Sequence, residues 1–122
     1  MSRKVLMIGW HPTAVDYDKY PGLTPERLEA GLRADEAALR AQGHDARLGF
    51  IHAADSAEAT VAEMLDAEDF DIVLIGAGVR KDDACFLTVE RLVNTVHAHA
   101  PEAKSAFNTG PTDAAEAVAR WL

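Results

Sequence analysis

The sequence has few cysteines and few basic residues, and both shortages exclude classes of function. A single cysteine, Cys85, among 122 residues excludes an internal disulfide and a Cys-x-x-Cys redox motif. The 12 Lys and Arg residues are outnumbered by 20 Asp and Glu, which gives a formal net charge of −8 with no basic run. We therefore expect neither a nucleic-acid-binding face nor binding to an anionic membrane. A small anionic ligand needs only a few local donors and is not excluded.

Long apolar runs are also missing. No segment approaches the length needed to cross a bilayer, and the apolar run at residues 5–8 is too short for the core of a signal peptide. We expect a cytoplasmic protein, because a lone thiol is consistent with a reducing compartment. A length of 122 residues fits one domain that spans residues 1–122.

Two short apolar segments predict the centre of a sheet. Residues 5–8 and 72–75 are continuous apolar runs with β-branched side chains, and each is followed by a glycine. Such runs are typical of strands that are buried on both faces of a parallel sheet. Residues 46–51 and 104–107 have weaker, mixed patterns and are predicted to be edge strands.

Helix signals separate these strands. Residues 24–26 predict the start of a first helix that closes at Gly43, and residues 55–58 predict the start of a second. A third helix is predicted to start at residues 82–83 and a last one at residues 112–113. The third has a predicted apolar stripe of Cys85, Val89, Leu92, Val93 and Val96. The last has a predicted buried face of Ala114, Ala117, Val118 and Trp121.

The alternation of strands and helices predicts an α/β fold. We expect a four-stranded parallel sheet of order 2-1-3-4 with helices on both faces, a flavodoxin-like or Rossmann-like winding. The first and last helices would cover one face, and the second and third the other. The winding changes direction between strands 1 and 3, where open α/β sheets bind ligands beyond the carboxyl ends of the strands. Residues 9–23 and 76–83 should line this crevice, with residues 108–113 beside them.

The segment VLIGAGVRKDD, residues 73–83, is a candidate anion site. Gly76 and Gly78 let the backbone approach a ligand, and Arg80 could clamp a phosphate or carboxylate. The alternative is a tight strand-to-helix turn, since the spacing lacks the third glycine of a dinucleotide-binding fingerprint. The aspartates at 82–83 also compete with an anion for the start of the next helix.

The loop after the first strand is longer than the about 2–6 residues usual for a strand-to-helix connection. Its His11 is a candidate acid–base residue, with Asp16 or Asp18 as its orienting partner. Trp10 and Tyr17 could stack on the ring of a ligand. The alternative is a structural loop whose aromatic side chains pin it to the end of the sheet.

Two polar residues follow the fourth strand. Asn108 and Thr109 present an amide and a hydroxyl at the predicted crevice and are candidate ligand contacts. Capping of the last helix accounts for the next two polar residues, Thr112 and Asp113, but not for these.

The histidines do not predict a metal site. His97 and His99 are two residues apart on a predicted helix, so their side chains point in different directions. His44 and His52 flank the second strand without metal-ligand spacing. We expect no metal, and no pattern identifies a cofactor. Cys85 lies on an apolar stripe and is interpreted as a buried core thiol.

Several segments carry a resemblance to a known group. Small bacterial flavodoxin-like proteins are similar to this chain in RKVLMIGW, DFDIVLIGAGVR, ERLVNTVHAHAP and AFNTGPTDAAEAV, which together span most of its length. The resemblance implies the doubly wound fold. It implies no activity, because none is known for the group. Residues 9–11 and 76–78 depart from the acidic phosphotransfer sites of receiver domains, and residues 10–14 depart from the phosphate loop of flavodoxins.

Two hypotheses of different classes follow. The first is that the protein binds a small anionic metabolite or a nucleotide-like ligand at the carboxyl edge of the sheet, with or without catalysis. The second is a non-catalytic interaction or regulatory module that self-associates as a homodimer or higher homo-oligomer. Leu87, which lies off the predicted stripe, and residues 121–122 are the candidate interface residues for the second hypothesis.

Overall fold

The computed structural model describes residues 3–110 and 112–122, which form an α/β fold around one sheet. The strands are β1 (Lys4–Trp10), β2 (Asp45–Ile51), β3 (Ile72–Ile75) and β4 (Lys104–Ala106). They lie in the order β2-β1-β3-β4, and each neighbouring pair is parallel. The predicted flavodoxin-like or Rossmann-like winding is therefore confirmed.

The burial of each strand explains its place in the sheet. All four residues of β3 are buried, and so are residues 5–8 of β1, so both strands need cover on two faces. β2 mixes buried and exposed positions, and the first two residues of β4 are exposed. The predicted central and edge positions are confirmed, although β4 ends one residue earlier than predicted.

Helices pack on both faces of the sheet. α1 (Pro25–Ala41) and α5 (Ala114–Ala119) lie on one face, and α2 (Ala57–Ala67) and α4 (Phe86–His99) on the other, as predicted. Alternate strand residues belong to different cores, because successive side chains of a strand point to opposite faces. The core under α2 and α4 includes Leu6, Ile8, Val73 and Ile75. The core under α1 and α5 includes Val5, Met7, Ile72 and Leu74.

The ends of α1 follow the predicted signals. Thr24 Oγ1 accepts a hydrogen bond from Arg27 N (3.2 Å), and Pro25 is the first helical residue. Gly43 follows the helix with a φ of +91°, a left-handed conformation that favours glycine. Both ends of α1 are therefore set by local sequence.

α2 begins where residues 55–58 predict it. Its N-cap is Ser56, and its first helical residue is Ala57. Residues 55–58 resemble a capping box in sequence, but the Ser56 hydroxyl donates to Ala53 O (3.4 Å) and makes no capping bond to the helix. Across the described residues, none of the helices has both the length and the apolar character needed to cross a membrane.

Between β3 and α4 the chain is more helical than predicted. Ala77–Arg80 forms a short helix, α3, and Asp83–Cys85 forms a 3₁₀ turn. Asp82 is the N-cap of that turn, and the turn runs directly into α4, which begins at Phe86. The two aspartates therefore begin this helical segment as predicted, although its first residues form a 3₁₀ turn. The side chain of Val79 in α3 is fully buried in the core under α2 and α4, so this extra helix packs against the sheet.

Two of the predicted buried positions are wrong. Val93 is 38% exposed, and Trp121 lies beyond the end of α5 with 45% of its surface exposed. The buried face of α4 instead includes Thr88 and Thr95. Thr95 can be buried because its hydroxyl donates to Arg91 O (2.7 Å), which satisfies its polar atom inside the helix.

Candidate functional site

The carboxyl edge of the sheet brings together the segments that follow β1 and β3. The β1 loop, residues 11–24, reaches the segment after β3 through Lys19, whose Nζ lies 3.8 Å from an Asp82 carboxylate oxygen. Trp10, the last residue of β1, is half-buried and packs against the core under α2 and α4, which includes Val79 of the segment after β3. The two segments predicted to line a crevice are thus in contact at the point where the winding changes direction.

The two glycines after β3 have different environments. Gly76 N donates to Ile8 O (2.9 Å), and a Cβ at position 76 would lie 3.0 Å from that same oxygen. Gly78 is exposed, and a Cβ at that position would meet no atom within 4 Å. The first glycine is required by the close approach of the turn to β1, whereas the second has no steric reason among the described residues.

Arg80 ties the end of β3 to the chain after β4. Its Nε donates to Ile75 O (2.7 Å), and its Nη2 donates to both the backbone oxygen and the side-chain Oδ1 of Asn108. The guanidinium also lies over the Phe107 ring, 4.6 Å from its centroid. Partial burial lowers the pKa of Arg80, and the nearby Asp113 carboxylate opposes that shift. Nε and Nη2 thus donate to oxygens of the protein itself. The predicted contact with an anion would therefore have to use Nη1.

Asn108 completes this connection from the other side. Only 7% of its surface is exposed, and its Oδ1 accepts from Ala77 N (2.8 Å) as well as from Arg80. Its Nδ2 donates to Gly110 O (3.1 Å). The backbone N–H of Ala77, in the turn predicted to bind an anion, therefore donates to Asn108 instead. The structure brings the predicted residues Gly76, Arg80 and Asn108 together, and it does so through internal hydrogen bonds.

Thr109 is bound to a carboxylate that the sequence assigned to helix capping. Asp113 accepts from Thr109 N (2.9 and 3.0 Å), from Thr109 Oγ1 (2.6 Å) and from Gly110 N (2.9 Å). These bonds lower the pKa of Asp113 to about 2. Asp113 stands at the N-cap of α5, but its side chain closes the preceding loop. Pro111, within the loop predicted at 108–113, lies outside the described residues.

The charge of Asp113 acts on a second carboxylate, on α1. Asp35 is half-buried, and burial raises its pKa, with the Asp113 charge adding to the shift. The two carboxyl groups are thus pushed in opposite directions by their surroundings. Sequence reasoning missed Asp35, because only the packing of α1 beside α5 reveals the pair.

His11 lies in a different group of contacts, on the β2 side of the edge. Its ring stacks on His52, with centroids 4.5 Å apart and planes 28° apart, and meets the Phe50 ring edge-on at 5.1 Å. His11 Nδ1 accepts from Thr13 N (3.2 Å) and lies 2.7 Å from Thr13 Oγ1. Because a backbone N–H can only donate, Nδ1 is an acceptor and the neutral ring carries its proton on Nε2.

The orienting partner of His11 differs from the predicted one. Thr13 occupies the place expected for Asp16 or Asp18. Asp16 Oδ1 instead accepts from Asp18 N (3.1 Å) and caps a local turn. A short polar side chain tends to bond to the backbone two residues ahead, and this local bond takes precedence over the predicted longer-range one.

The rest of the β1 loop is folded by its own contacts. It contains 3₁₀ turns at Pro12–Ala14 and Tyr17–Lys19, and Pro12 is buried. The Tyr17 hydroxyl donates to Pro12 O (2.5 Å). Desolvation raises the pKa of Tyr17, and the Glu26 carboxylate adds to this. Tyr17 is thus held within the loop, and stacking of Tyr17 on a ligand stays a prediction.

His52 is a site residue that sequence reasoning missed. The parallel register pairs Trp10 with Ile51, the last residues of β1 and β2, so the next residue of each strand lies side by side. The bond from His11 N to Ile51 O (2.9 Å) continues the ladder by one step. The signal was present in the sequence, since each of the two predicted strands is followed closely by a histidine.

Cys85 is buried, as interpreted from the sequence. Burial raises the pKa of its thiol, and the Asp82 carboxylate raises it further. A thiol with a raised pKa is a poor nucleophile at neutral pH, which agrees with a core role.

Comparison with known proteins gives no family. No protein-family model matches this chain, and no curated protein matches its sequence. The similarity to small bacterial flavodoxin-like proteins therefore stays a prediction beyond the fold itself.

The two glycines provide a matched pair of substitutions. We expect Gly76→Ala to destabilise the fold by about 1–3 kcal/mol, because the added Cβ meets a backbone oxygen fixed in the ladder. Gly78→Ala should be neutral or stabilising by up to about 1 kcal/mol, since it fills open space within a helical turn. Urea unfolding of both variants measures the difference. Equal effects would contradict the steric role of Gly76.

The two carboxylates provide a test of the pH dependence. We expect Asp113→Asn to lower the melting temperature at pH 7, because a depressed pKa means that the charged form stabilises the fold. This stabilisation is complete above the ordinary pKa of 3.8 and is lost as the pH falls through about 2. The difference in melting temperature between wild type and variant should shrink over that window.

Asp35→Asn is the matched control and should have the opposite sign. Its raised pKa means that the charged form is disfavoured in the folded state, so removal of the charge should raise the melting temperature at pH 7. The gain should vanish once the pH is below 3.8, the ordinary pKa of the group. A loss of stability at neutral pH would show that the carboxylate has a favourable partner instead.

Proposed function

We propose that this protein binds a small anionic metabolite or nucleotide-like ligand at the carboxyl edge, between the β1 loop and the segment after β3. The observation that carries the proposal is the contact between Lys19 and Asp82 at 3.8 Å. Lys19 already contacts the negatively charged carboxylate of Asp82 there. The carboxylate or phosphate of a ligand also carries negative charge and could contact Lys19 in the same way.

The contact is weak enough for a ligand to replace it. The Lys19 side chain is 51% exposed, and exposed ion pairs contribute only about 0–1 kcal/mol. Exchange of the internal carboxylate for a ligand anion would therefore cost little. The place also suits a ligand, because the winding changes direction between β1 and β3.

The predicted residues take different parts in this proposal. Arg80 and Asn108 hold the edge in shape, and Gly78 offers open space beside it. His11 carries its neutral proton on Nε2, away from Thr13, and is the group we assign to proton transfer if a reaction follows binding. Trp10, half-buried at the end of β1, is the candidate stacking surface.

Binding can be tested with inorganic phosphate and with succinate as simple probes. We expect each to raise the melting temperature of the wild-type protein, because a ligand that binds only the folded state stabilises it. Lys19→Ala should remove most of the shift. Lys104→Ala is the matched control. Lys104 is an exposed lysine and the first residue of β4, so it lies at the amino ends of the parallel strands, away from the carboxyl edge. No shift in the wild type, or equal loss in both variants, would refute the proposal.

Asp82→Asn tests the competition directly. Asn can still accept the hydrogen bond from Ala84 N (3.0 Å) that caps the 3₁₀ turn, but it lacks the charge that competes for Lys19. We expect probe binding to become about threefold tighter, in line with the small energy of an exposed ion pair. Phosphate titration followed by NMR measures the affinity of wild type and variant. Unchanged or weaker binding would show that the ligand does not use Lys19.

A further inference from the structure

The first half of the β1 loop is fastened to the rest of the fold. Pro12 is buried, and His11 N donates to Ile51 O (2.9 Å) as a continuation of the sheet. The His11 ring stacks on His52, and the 3₁₀ turn at Pro12–Ala14 contacts α1. This half of the loop is therefore held by the end of β2 and by α1.

The second half of the loop has little packing. We define the lid segment as residues 16–22. Its 3₁₀ turn at Tyr17–Lys19 contains no buried residue, and within the described part of the chain neither core includes or packs against an apolar side chain of the segment. The segment ends at Gly22, whose φ is +87°, and a glycine can absorb the change of backbone angles that a hinge needs. A segment with so few buried contacts opens locally at little cost.

One ion pair closes the lid segment onto the chain after β3. Lys19 Nζ lies 3.8 Å from an Asp82 carboxylate oxygen, and the Lys19 side chain is 51% exposed. Among the described residues, the other hydrogen bonds of the segment stay within the β1 loop, apart from a bond from Arg27 Nη1 to Gly22 O (2.7 Å) at its last residue. Exposed ion pairs are weak and change an equilibrium by at most about fivefold.

Cys85 lies beside this ion pair. Its N donates to Asp82 O (2.8 Å), and only 8% of its surface is exposed. It lies at the margin of the packed interior, since neither of the two cores flanking the sheet includes it, so residues at the carboxyl edge supply its cover. Burial raises the pKa of its thiol, and the Asp82 charge raises it further while the Lys19 charge lowers it. The thiol is therefore close to both charges of the pair.

We propose that residues 16–22 form a lid on the carboxyl edge, hinged at Gly22, that opens when the ion pair between Lys19 and Asp82 breaks. Opening exposes Cys85 while the rest of the fold stays intact. The first half of the β1 loop stays in place, because β2 and α1 hold it. As a gate for a ligand, the lid rests on the proposed function. Its movement is measured without ligand, so failure of the lid and failure of ligand binding are distinguishable.

Labelling of Cys85 with N-ethylmaleimide, which is uncharged, tests the lid, because Cys85 is the only cysteine in the chain. We expect the wild-type protein to react through local opening, at a rate that changes by less than about twofold as urea is added below the unfolding transition. Exposure through global unfolding would instead raise the rate at least about fivefold per molar urea. Circular dichroism on the same samples locates the unfolding transition.

Two substitutions separate lid opening from direct effects of charge on the thiol. Lys19→Ala and Asp82→Asn both break the ion pair, so we expect each to speed labelling about two- to fivefold. Without a lid they would act in opposite directions, since loss of Lys19 raises the pKa of Cys85 and loss of Asp82 lowers it. Asp82→Asn keeps the acceptor for Ala84 N, so the 3₁₀ turn stays capped. Lys104→Ala removes the same charge as Lys19→Ala at the amino ends of the strands, and it should leave the rate unchanged.

Three results would overturn the proposal. Opposite effects of Lys19→Ala and Asp82→Asn, or no effect of either, would show that their ion pair does not hold a lid closed. A labelling rate in wild type that follows global unfolding would show that Cys85 is exposed only with the whole fold. Equal acceleration in Lys104→Ala would show that loss of any lysine has the same effect.

Discussion

The hydrogen bonds of one buried amide, Asn108, hold the carboxyl edge of the sheet together. β4 is a strand of three residues, and its pairing with β3 covers three register positions. Beyond that short ladder, Asn108 links the chain after β4 to Ala77 N, to Arg80 and to Gly110 O. A buried polar group left without a partner costs about 1–3 kcal/mol, so each of these groups depends on the others. Across the described residues, every buried side-chain nitrogen and oxygen has a hydrogen-bond partner.

This internal network changes which residues are available to a ligand. Gly76, Arg80 and Asn108 are residues that the sequence predicts to contact a ligand. In the structure their hydrogen bonds instead hold the turn after β3 and the end of β4. The exposed Lys19 and the Asp82 carboxylate lie outside this network, and through them the β1 loop and the segment after β3 meet by charge. A rigid inner network with an exposed, weakly closed outer layer is a suitable arrangement for a binding site, because the scaffold is ordered before the ligand arrives.

Apolar pattern predicted the sheet well because strand order depends on burial, which side-chain hydrophobicity encodes directly. The runs at 5–8 and 72–75 gave the central strands, and the mixed pattern at 104–107 gave an edge. Polar contacts between distant segments were not predicted, because they depend on distances between residues that lie far apart in sequence, whereas the local cap at Thr24 was predicted. Asp35 near Asp113 is one such case. The partner of His11 was also not predictable, because Thr13, Asp16 and Asp18 are all close enough in sequence to bond to its ring.

The amide hydrogen exchange of Ala77 tests the role of Asn108 most directly. Ala77 is the first residue of a short helix, so its amide has no acceptor within that helix, and any protection reports its bond to Asn108 Oδ1 (2.8 Å). The account predicts slow exchange in wild type and in Asn108→Asp, which keeps the acceptor oxygen. It predicts exchange at least about tenfold faster in Asn108→Ala. Rapid exchange in wild type, or equal rates in wild type and Asn108→Ala, would contradict the account.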